Sequence, residues 1–218
     1  MITALHGFLG LPSDWDFLRR AGLDVTTPDL REIPQEGDTL LGYSLGGRLA
    51  LHALLGGARC RNAIIVSAGL GVEDDREARL AQDEHWAERF EHGEWYAVMR
   101  DWNAQPIFGG HAMPRHEDAF DRRELARQLR EWSPAALPPV AVRLHEIDIP
   151  VLWIAGSRDA KYVAEARRAS ELLPRAELWI AEGAAHRVPW EQPEAFAARL
   201  REFVARERSG EEIERQGR

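Results

Sequence analysis

TLLGYSLGGRLAL, residues 39–51, is the stretch of sequence that decides the fold. Its first residues are apolar or β-forming and predict a buried strand that ends at Tyr43. After Ser44, apolar residues recur at helical spacing from Leu45 onward, which predicts an amphipathic helix. The chain must therefore turn sharply from strand to helix at Ser44, and the small residues that permit this turn are Gly42, Gly46 and Gly47.

The alternation of strand and helix continues on both sides of this stretch. It runs from the first residues to about residue 205, which indicates a mostly parallel sheet covered by helices on both faces. The predicted sheet has about six strands, at residues 2–5, 23–27, 39–43, 63–67, 150–155 and 176–181. Helices are predicted over residues 13–22, 163–173 and 193–206, besides the one that follows Ser44.

Residues 72–145 interrupt the alternation. They are strongly charged and helical in pattern, with tryptophans spread among arginines and glutamates, so they predict an inserted helical cap. We expect an α/β core formed by residues 1–71 and 146–208. Residues 209–218 contain one aliphatic side chain and are predicted to be a flexible tail.

The composition limits the partners of the chain. Its 218 residues, 44% of them hydrophobic, suit one α/β domain with a sizeable core. A formal net charge of -8 argues against binding to nucleic acid or to an anionic membrane. No apolar run approaches the ~20 residues of a membrane helix. The single Cys60 and the lack of a basic, then apolar leader segment predict a cytoplasmic location.

Three residues follow the ends of predicted strands in an order that indicates catalysis. Ser44 lies in a Gly-x-Ser-x-Gly pattern between a strand and a helix, which is typical of the nucleophile elbow of the α/β-hydrolase fold. A serine needs an adjacent imidazole, and the imidazole needs a carboxylate to hold its tautomer. Asp159 follows the fifth strand and His186 follows the sixth. These three residues are the predicted triad.

The same fold supplies an oxyanion hole from two backbone N–H groups. One belongs to the residue after the serine and the other to the loop after the first strand, which predicts Leu45 and Phe8. Asp148 and Asp29 are rival carboxylates, but both occupy less suitable points in the strand order. In isolation each triad residue has a commoner role as a helix cap, a turn residue or a surface histidine. Because the other histidines lack metal-ligand spacing, we assign no metal.

Several longer segments carry a resemblance to one branch of the α/β-hydrolases. The sequence resembles the 2-succinyl-6-hydroxy-2,4-cyclohexadiene-1-carboxylate synthases of menaquinone biosynthesis. The resemblance covers nearly the whole chain, and two of its motifs, DWNAQPIF and SRDAKY, are far more specific than the serine pattern. The matching segments are HGFLG with Asp14-Trp15 close behind, GYSLGGRLAL, the cap helix ending in WAERF, DWNAQPIF, RREL and AGSRDAKY.

This resemblance implies a lyase that eliminates pyruvate from a succinylated enolpyruvyl-cyclohexene carboxylate. The triad serine would act as a base, and the reaction would need no cofactor. The small anionic substrate would need arginines, which hold carboxylates through paired N–H donors. The family's substrate-binding positions correspond here to Tyr43, Arg48, Arg79, Trp102 and, with the weakest match, Arg130. A solvated helix face is the alternative for each arginine.

The chain also departs from the family pattern. The first strand here corresponds to the usual third strand, and the connection before Thr39 lacks its usual helix. Residues 30–38 could still span about 30 Å when extended, enough to pass one intervening strand. The loss of a helix would leave one face of the sheet thinly covered. We therefore expect exposed apolar surface or a homodimer contact near Leu30–Gly37.

Two other functions fit the same triad residues. A carboxylesterase or related acyl hydrolase would use Ser44 as a covalent nucleophile, with a more apolar pocket than three arginines suggest. A non-enzymatic binding protein could retain the fold, but it would not need an intact triad. The lyase remains the preferred hypothesis because of Arg48 and the DWNAQPIF segment.

Overall fold

One open sheet of six parallel strands forms the centre of the molecule. A computed structural model describes the backbone of residues 1–216 and the side chains of residues 1–207 and 209. The strand order is β2-β1-β3-β4-β5-β6, and every neighbouring pair is parallel. The predicted α/β-hydrolase sheet is confirmed. The strands are β1 (Ile2–Leu5), β2 (Val25–Thr26), β3 (Glu36–Tyr43), β4 (Arg59–Val66), β5 (Val151–Gly156) and β6 (Ala176–Ala181).

Helices cover both faces of the sheet. Neighbouring residues of a strand point to opposite faces, so Leu40 joins one hydrophobic cluster and Leu41 the other. Two helices, α2 (Leu45–Leu55) and α6 (Ala160–Leu172), pack on the Leu40 face. The opposite face is covered by three helices, α1 (Asp16–Arg20), the short α7 (Val188–Glu191) and the long α8 (Pro193–Gln216).

The connection from β2 to β3 crosses β1 without an α-helix, as its length predicts. The expectation of exposed apolar surface here is wrong. Leu30 is buried at 4% exposure, and Ile33 packs against the same hydrophobic cluster. The extended segment covers the sheet with its own side chains, so the missing helix leaves no apolar patch.

The residues between β4 and β5 are helical, with α3 (Arg76–His92), α4 (Trp95–Asn103) and α5 (Arg122–Glu131). These three helices share a hydrophobic cluster that includes Phe90, Trp95 and Leu125. A 3-10 turn at Ala141–Glu146 packs with the main core instead, although the sequence pattern places residues up to 145 in the cap.

The last helix is longer than the sequence predicts. Helix α8 continues to Gln216, whereas the pattern predicts an end near Arg206 and a flexible tail from residue 209. Residues 217–218 of that predicted tail lie outside the described part of the chain. Within the described residues, no helix combines the length and apolar character required to span a bilayer.

Candidate active site

Ser44 occupies a strained turn between β3 and α2. Its backbone has φ 52° and ψ -113°, a region that non-glycine residues rarely adopt and that costs about 1–3 kcal/mol. The Ser44 N–H donates to the carbonyl of Val66 at 2.8 Å, which ties the turn to β4. A Cβ atom on Gly46 would lie 2.4 Å from the His6 carbonyl oxygen, so only glycine fits there. The turn therefore presents the Ser44 side chain beyond the carboxyl end of the sheet.

The structure places His186 within hydrogen-bonding distance of both other predicted triad residues. His186 Nε2 is 3.0 Å from Ser44 Oγ, and His186 Nδ1 is 2.7 Å from Asp159 Oδ2. An ionised carboxylate only accepts hydrogen bonds, so Nδ1 carries the imidazole proton. Nε2 is then free to accept the proton of the Ser44 hydroxyl. The side chains of His186 and Asp159 are both 2% exposed, which keeps water away from this contact.

Asp159 is held in place by the start of α6. It caps this helix, with Oδ1 accepting the N–H of Tyr162 at 3.4 Å, while Oδ2 faces His186. The loop that carries His186 packs closely on the end of β5. A Cβ atom on Gly156 would lie 2.0 Å from the Ala185 carbonyl oxygen, so this approach requires glycine. Glycine at this position therefore lets the acid loop and the histidine loop meet.

A cavity of about 240 Å³ opens beside Ser44 and His186. It lies between the sheet edge and the cap helices. Every predicted substrate-binding and oxyanion residue except Arg130 lines it, and Asp159 lies behind the histidine. These lining residues are Phe8, Tyr43, Leu45, Arg48, Arg79 and Trp102.

Arg48 is a buried cation in the wall of this cavity. It lies one turn into α2, its exposure is 8%, and Nη2 donates to the Trp132 carbonyl. Its Nε is buried without a hydrogen-bond partner among the described residues. Burial, with a smaller contribution from the Arg79 charge, lowers the pKa of Arg48 to about 10. The guanidinium remains charged at neutral pH and has an unused donor.

Arg79 reaches the cavity from helix α3. Its Nε donates to Asp83 Oδ2 at 2.8 Å, and Asp83 is 4% exposed. The pair spans one helical turn and fixes the guanidinium against the cavity wall. Because Asp83 engages the Nε edge, the two terminal nitrogens of Arg79 are left for other partners.

The structure does not bring Arg130 to the cavity. Its guanidinium donates to Glu84 at 2.8 Å and to Glu91 at 2.9 Å, and it also contacts Glu88. These hydrogen bonds from Arg130 hold the pKa values of Glu84 and Glu91 below their usual range. The position of Arg130 therefore does not support the predicted role in substrate binding, since the arginine joins α5 to α3 on the outer side of the cap.

Replacing Arg130 with alanine is expected to leave kcat/KM unchanged and to lower the melting temperature. The expected fall is about 2–4 °C, equivalent to about 1 kcal/mol for a partly exposed ion-pair network in a chain of this size. Calorimetry and steady-state kinetics on the same preparation would measure both values. A large loss of kcat/KM with an unchanged melting temperature would return Arg130 to the substrate site.

Several cavity residues escaped the sequence-based prediction. Lys161 and Tyr162 belong to the AGSRDAKY segment, so the resemblance could have indicated them. Arg187 directly follows the predicted catalytic histidine, but the sequence does not indicate whether its side chain points into the cavity. Arg115 lies in a loop without any motif, and it makes a paired contact with Asp14 at 2.9 and 2.6 Å. Only the folded chain shows that Arg115 reaches the cavity.

Aromatic rings restrict the motion of the cavity wall. The ring centroid of His186 lies 4.5 Å from that of Tyr162 and 5.5 Å from that of Tyr43. Burial raises the pKa of both tyrosines, so they are neutral at physiological pH. Trp102 contacts Phe8 at 5.0 Å on the cap side. Within the described chain, no group of three or more histidine, cysteine or acidic side chains is arranged to hold a metal ion.

Comparison with known proteins identifies the family. The sequence pattern described as "Alpha/beta hydrolase family" matches residues 4–199. A 2-succinyl-6-hydroxy-2,4-cyclohexadiene-1-carboxylate synthase from Serratia proteamaculans is 35% identical over 175 residues, 76% of this chain and 67% of the relative. The same synthase from Pectobacterium atrosepticum is 28% identical, covering 94% of this chain and 93% of the relative.

A solved structure agrees with this assignment at the level of the fold. The structure of MenH from S. aureus superposes with a TM-score of 0.85 and 23% identity, covering 95% of this chain and 94% of that one. The resemblance stated from the sequence motifs is thereby confirmed. The chain belongs to the alpha/beta hydrolase family and is an enzyme related to the 2-succinyl-6-hydroxy-2,4-cyclohexadiene-1-carboxylate synthases.

Proposed function

We propose that this enzyme is a lyase of menaquinone biosynthesis. It eliminates pyruvate from the succinylated enolpyruvyl-cyclohexene carboxylate and forms the cyclohexadiene product, with Ser44, His186 and Asp159 as its triad. The names of the curated relatives support the pathway role. The observation that carries the proposal is the charge of the cavity that Ser44 and His186 line.

This cavity is cationic in a chain that is acidic as a whole. Among the described residues, five cationic and two acidic side chains line it, while the chain has a formal net charge of -8. A local excess of positive charge in a partly enclosed site favours a small polyanion over a neutral ester. The cationic residues are Arg48, Arg79, Arg115, Lys161 and Arg187.

The free donors at this site match carboxylates. Arg48 has a buried Nε without a partner, and a buried donor is costly unless a ligand or water satisfies it. Arg79 has its Nε edge occupied by Asp83, which leaves the terminal nitrogens for a ligand. An anionic group bound between Arg48 and Arg79 would reduce the repulsion between the two cations.

The hydrogen bonds of the triad suit proton abstraction. His186 accepts the proton of the Ser44 hydroxyl, and the Ser44 oxygen then takes a C–H proton that a neighbouring carbonyl makes acidic. The electron pair left on carbon forms a ring double bond as the C–O bond to the enolpyruvyl group breaks. The departing enolpyruvate gains a proton and becomes pyruvate. No covalent bond to Ser44 is needed.

The negative charge that develops on the carbonyl oxygen requires donors. Phe8 and Leu45 both line the cavity beside Ser44, and their backbone N–H groups are the proposed oxyanion hole. Leu45 is the first residue of α2, and the first N–H groups of a helix have no partner within it. The positive end of the helix adds to this stabilisation.

The identity of the product distinguishes the lyase from a serine esterase. The purified enzyme is incubated with the succinylated enolpyruvyl precursor and, separately, with a neutral aryl ester of short chain length. We expect one pyruvate for each precursor consumed, and ester turnover no faster than that of a Ser44→Ala variant. Ester turnover without pyruvate release would refute the lyase.

A further inference from the structure

The loop that carries His186 is held by a single carboxylate. Glu191 is the last residue of α7, and both of its side-chain oxygens are used. Oε2 accepts the N–H of Ala185 at 2.9 Å, and Oε1 accepts the N–H of Arg187 at 2.9 Å. These two amides directly precede and follow His186, so the carboxylate holds the backbone on both sides of the histidine by hydrogen bonds.

Backbone hydrogen bonds also hold this loop. The N–H of Glu191 donates to the Arg187 carbonyl at 2.9 Å, so the two residues exchange hydrogen bonds. The N–H of His186 itself donates to the carbonyl of Ile107 at 3.1 Å, on the cap side of the site. Three successive amides of the loop are therefore fixed, two of them by Glu191.

We propose that Glu191 is a positioning residue for His186. It does not line the cavity; it acts through the two amides that set the direction of the histidine side chain. The inference rests on the proposed function, because it assumes that His186 serves Ser44. Its consequence is that Glu191 controls the rate of the chemical step and has little influence on substrate affinity.

A carboxylate suits this task better than any other side chain. It accepts hydrogen bonds at both oxygens and donates none, and bonds from N–H groups to a charged acceptor are stronger than neutral ones. Glutamine has the same shape but only one acceptor, so its NH2 group would face one of the loop amides donor to donor. Glu191→Gln therefore weakens the hydrogen bonds to the loop with the smallest change in side-chain volume.

The imidazole tolerates little movement. Nδ1 must stay 2.7 Å from Asp159 while Nε2 stays 3.0 Å from Ser44, so a small turn of the loop lengthens at least one contact. Misplacement of a reacting group by about 1 Å can cost about 100-fold in rate. We expect Glu191→Gln to lower kcat for pyruvate release by about 10- to 100-fold, with KM nearly unchanged.

The experiment compares Glu191→Gln with a matched control. Glu194, three residues further along, is exposed in the first turn of α8, so Glu194→Gln removes a neighbouring charge without touching the loop. Glu191→Ala, which lacks both acceptors, is the second variant. Steady-state kinetics give kcat and KM, and the melting temperature of each variant shows that folded enzyme is compared. The control is expected to match the wild type in both constants.

A spectroscopic measurement makes the test independent of turnover. The proton between His186 Nδ1 and Asp159 is expected to give a low-field ¹H NMR signal, which should weaken or shift in Glu191→Gln and persist in Glu194→Gln. Wild-type kcat with an unchanged signal in Glu191→Gln would refute the positioning role, as would a loss that falls on KM. An active Ser44→Ala variant would instead refute the proposed function, and the signal would still test Glu191.

Discussion

Replacing Ser44 with alanine is expected to lower kcat for pyruvate release by at least about 1,000-fold. The Ser44 hydroxyl is the group that His186 contacts at 3.0 Å, and alanine leaves no oxygen to take the substrate proton. The arginines of the cavity are untouched, so substrate affinity should persist. A coupled assay that follows pyruvate measures the rate, and calorimetric titration with the precursor measures the binding.

Ser67 offers a matched control for this variant. Like Ser44 it has a positive φ, 48°, and it follows β4 as Ser44 follows β3, although Ser67 is fully buried and Ser44 is partly exposed. Alanine at either position leaves a non-glycine residue at positive φ, but Ser67 does not line the cavity. Ser67→Ala is expected to retain activity. Equal losses in the two variants would attribute the effect to the fold and not to catalysis.

Replacing Arg48 with methionine is expected to lower kcat/KM for the anionic precursor by about 100-fold. This corresponds to about 2–3 kcal/mol for the loss of charged hydrogen bonds in a buried site. Methionine matches the length of the arginine stem and removes the charge. Because Arg48 pays a desolvation cost that an apolar side chain avoids, the melting temperature should change little. Kinetics and calorimetry on one preparation test both expectations.

Arg130→Met is the matched control for Arg48. It makes the same chemical change on the outer side of the cap, where the guanidinium is paired with glutamates. We expect a loss of stability from this variant and a loss of activity from Arg48→Met. If both variants lost activity to the same extent, a specific anion site at Arg48 would be excluded.

The sheet could be predicted from the sequence because most of its strands contain a short apolar run, although β3 and β4 begin earlier than predicted, among polar residues at Glu36 and Arg59. The bounds of β6 agree with the prediction residue for residue. Strand β2 is shorter than predicted, since only Val25 and Thr26 pair with β1 before Pro28 ends the segment. The β2–β3 connection covers the sheet because Leu30 packs against side chains that are distant in the sequence. No local pattern encodes such a contact.

In the site too, the catalytic residues could be predicted from local sequence, whereas positions set by long-range contacts could not. The positions of Ser44, Asp159 and His186 follow from which strand each residue ends, and a parallel sheet brings those ends together. The position of Arg130 could not be predicted because a long side chain on a helix can turn to either side, and three glutamates of α3 attract it to the outer side of the cap. The cytoplasmic location and the homodimer stay predictions.

The brevity of β2 has a consequence for how copies of this chain could associate. An edge strand exposes unpaired N–H and C=O groups, and another chain can add to them. Strand β2 offers two residues, whereas β6, at the opposite edge, offers six. Aggregation or self-assembly by strand pairing is therefore favoured along β6, and charged substitutions on that edge are the first means of suppressing it.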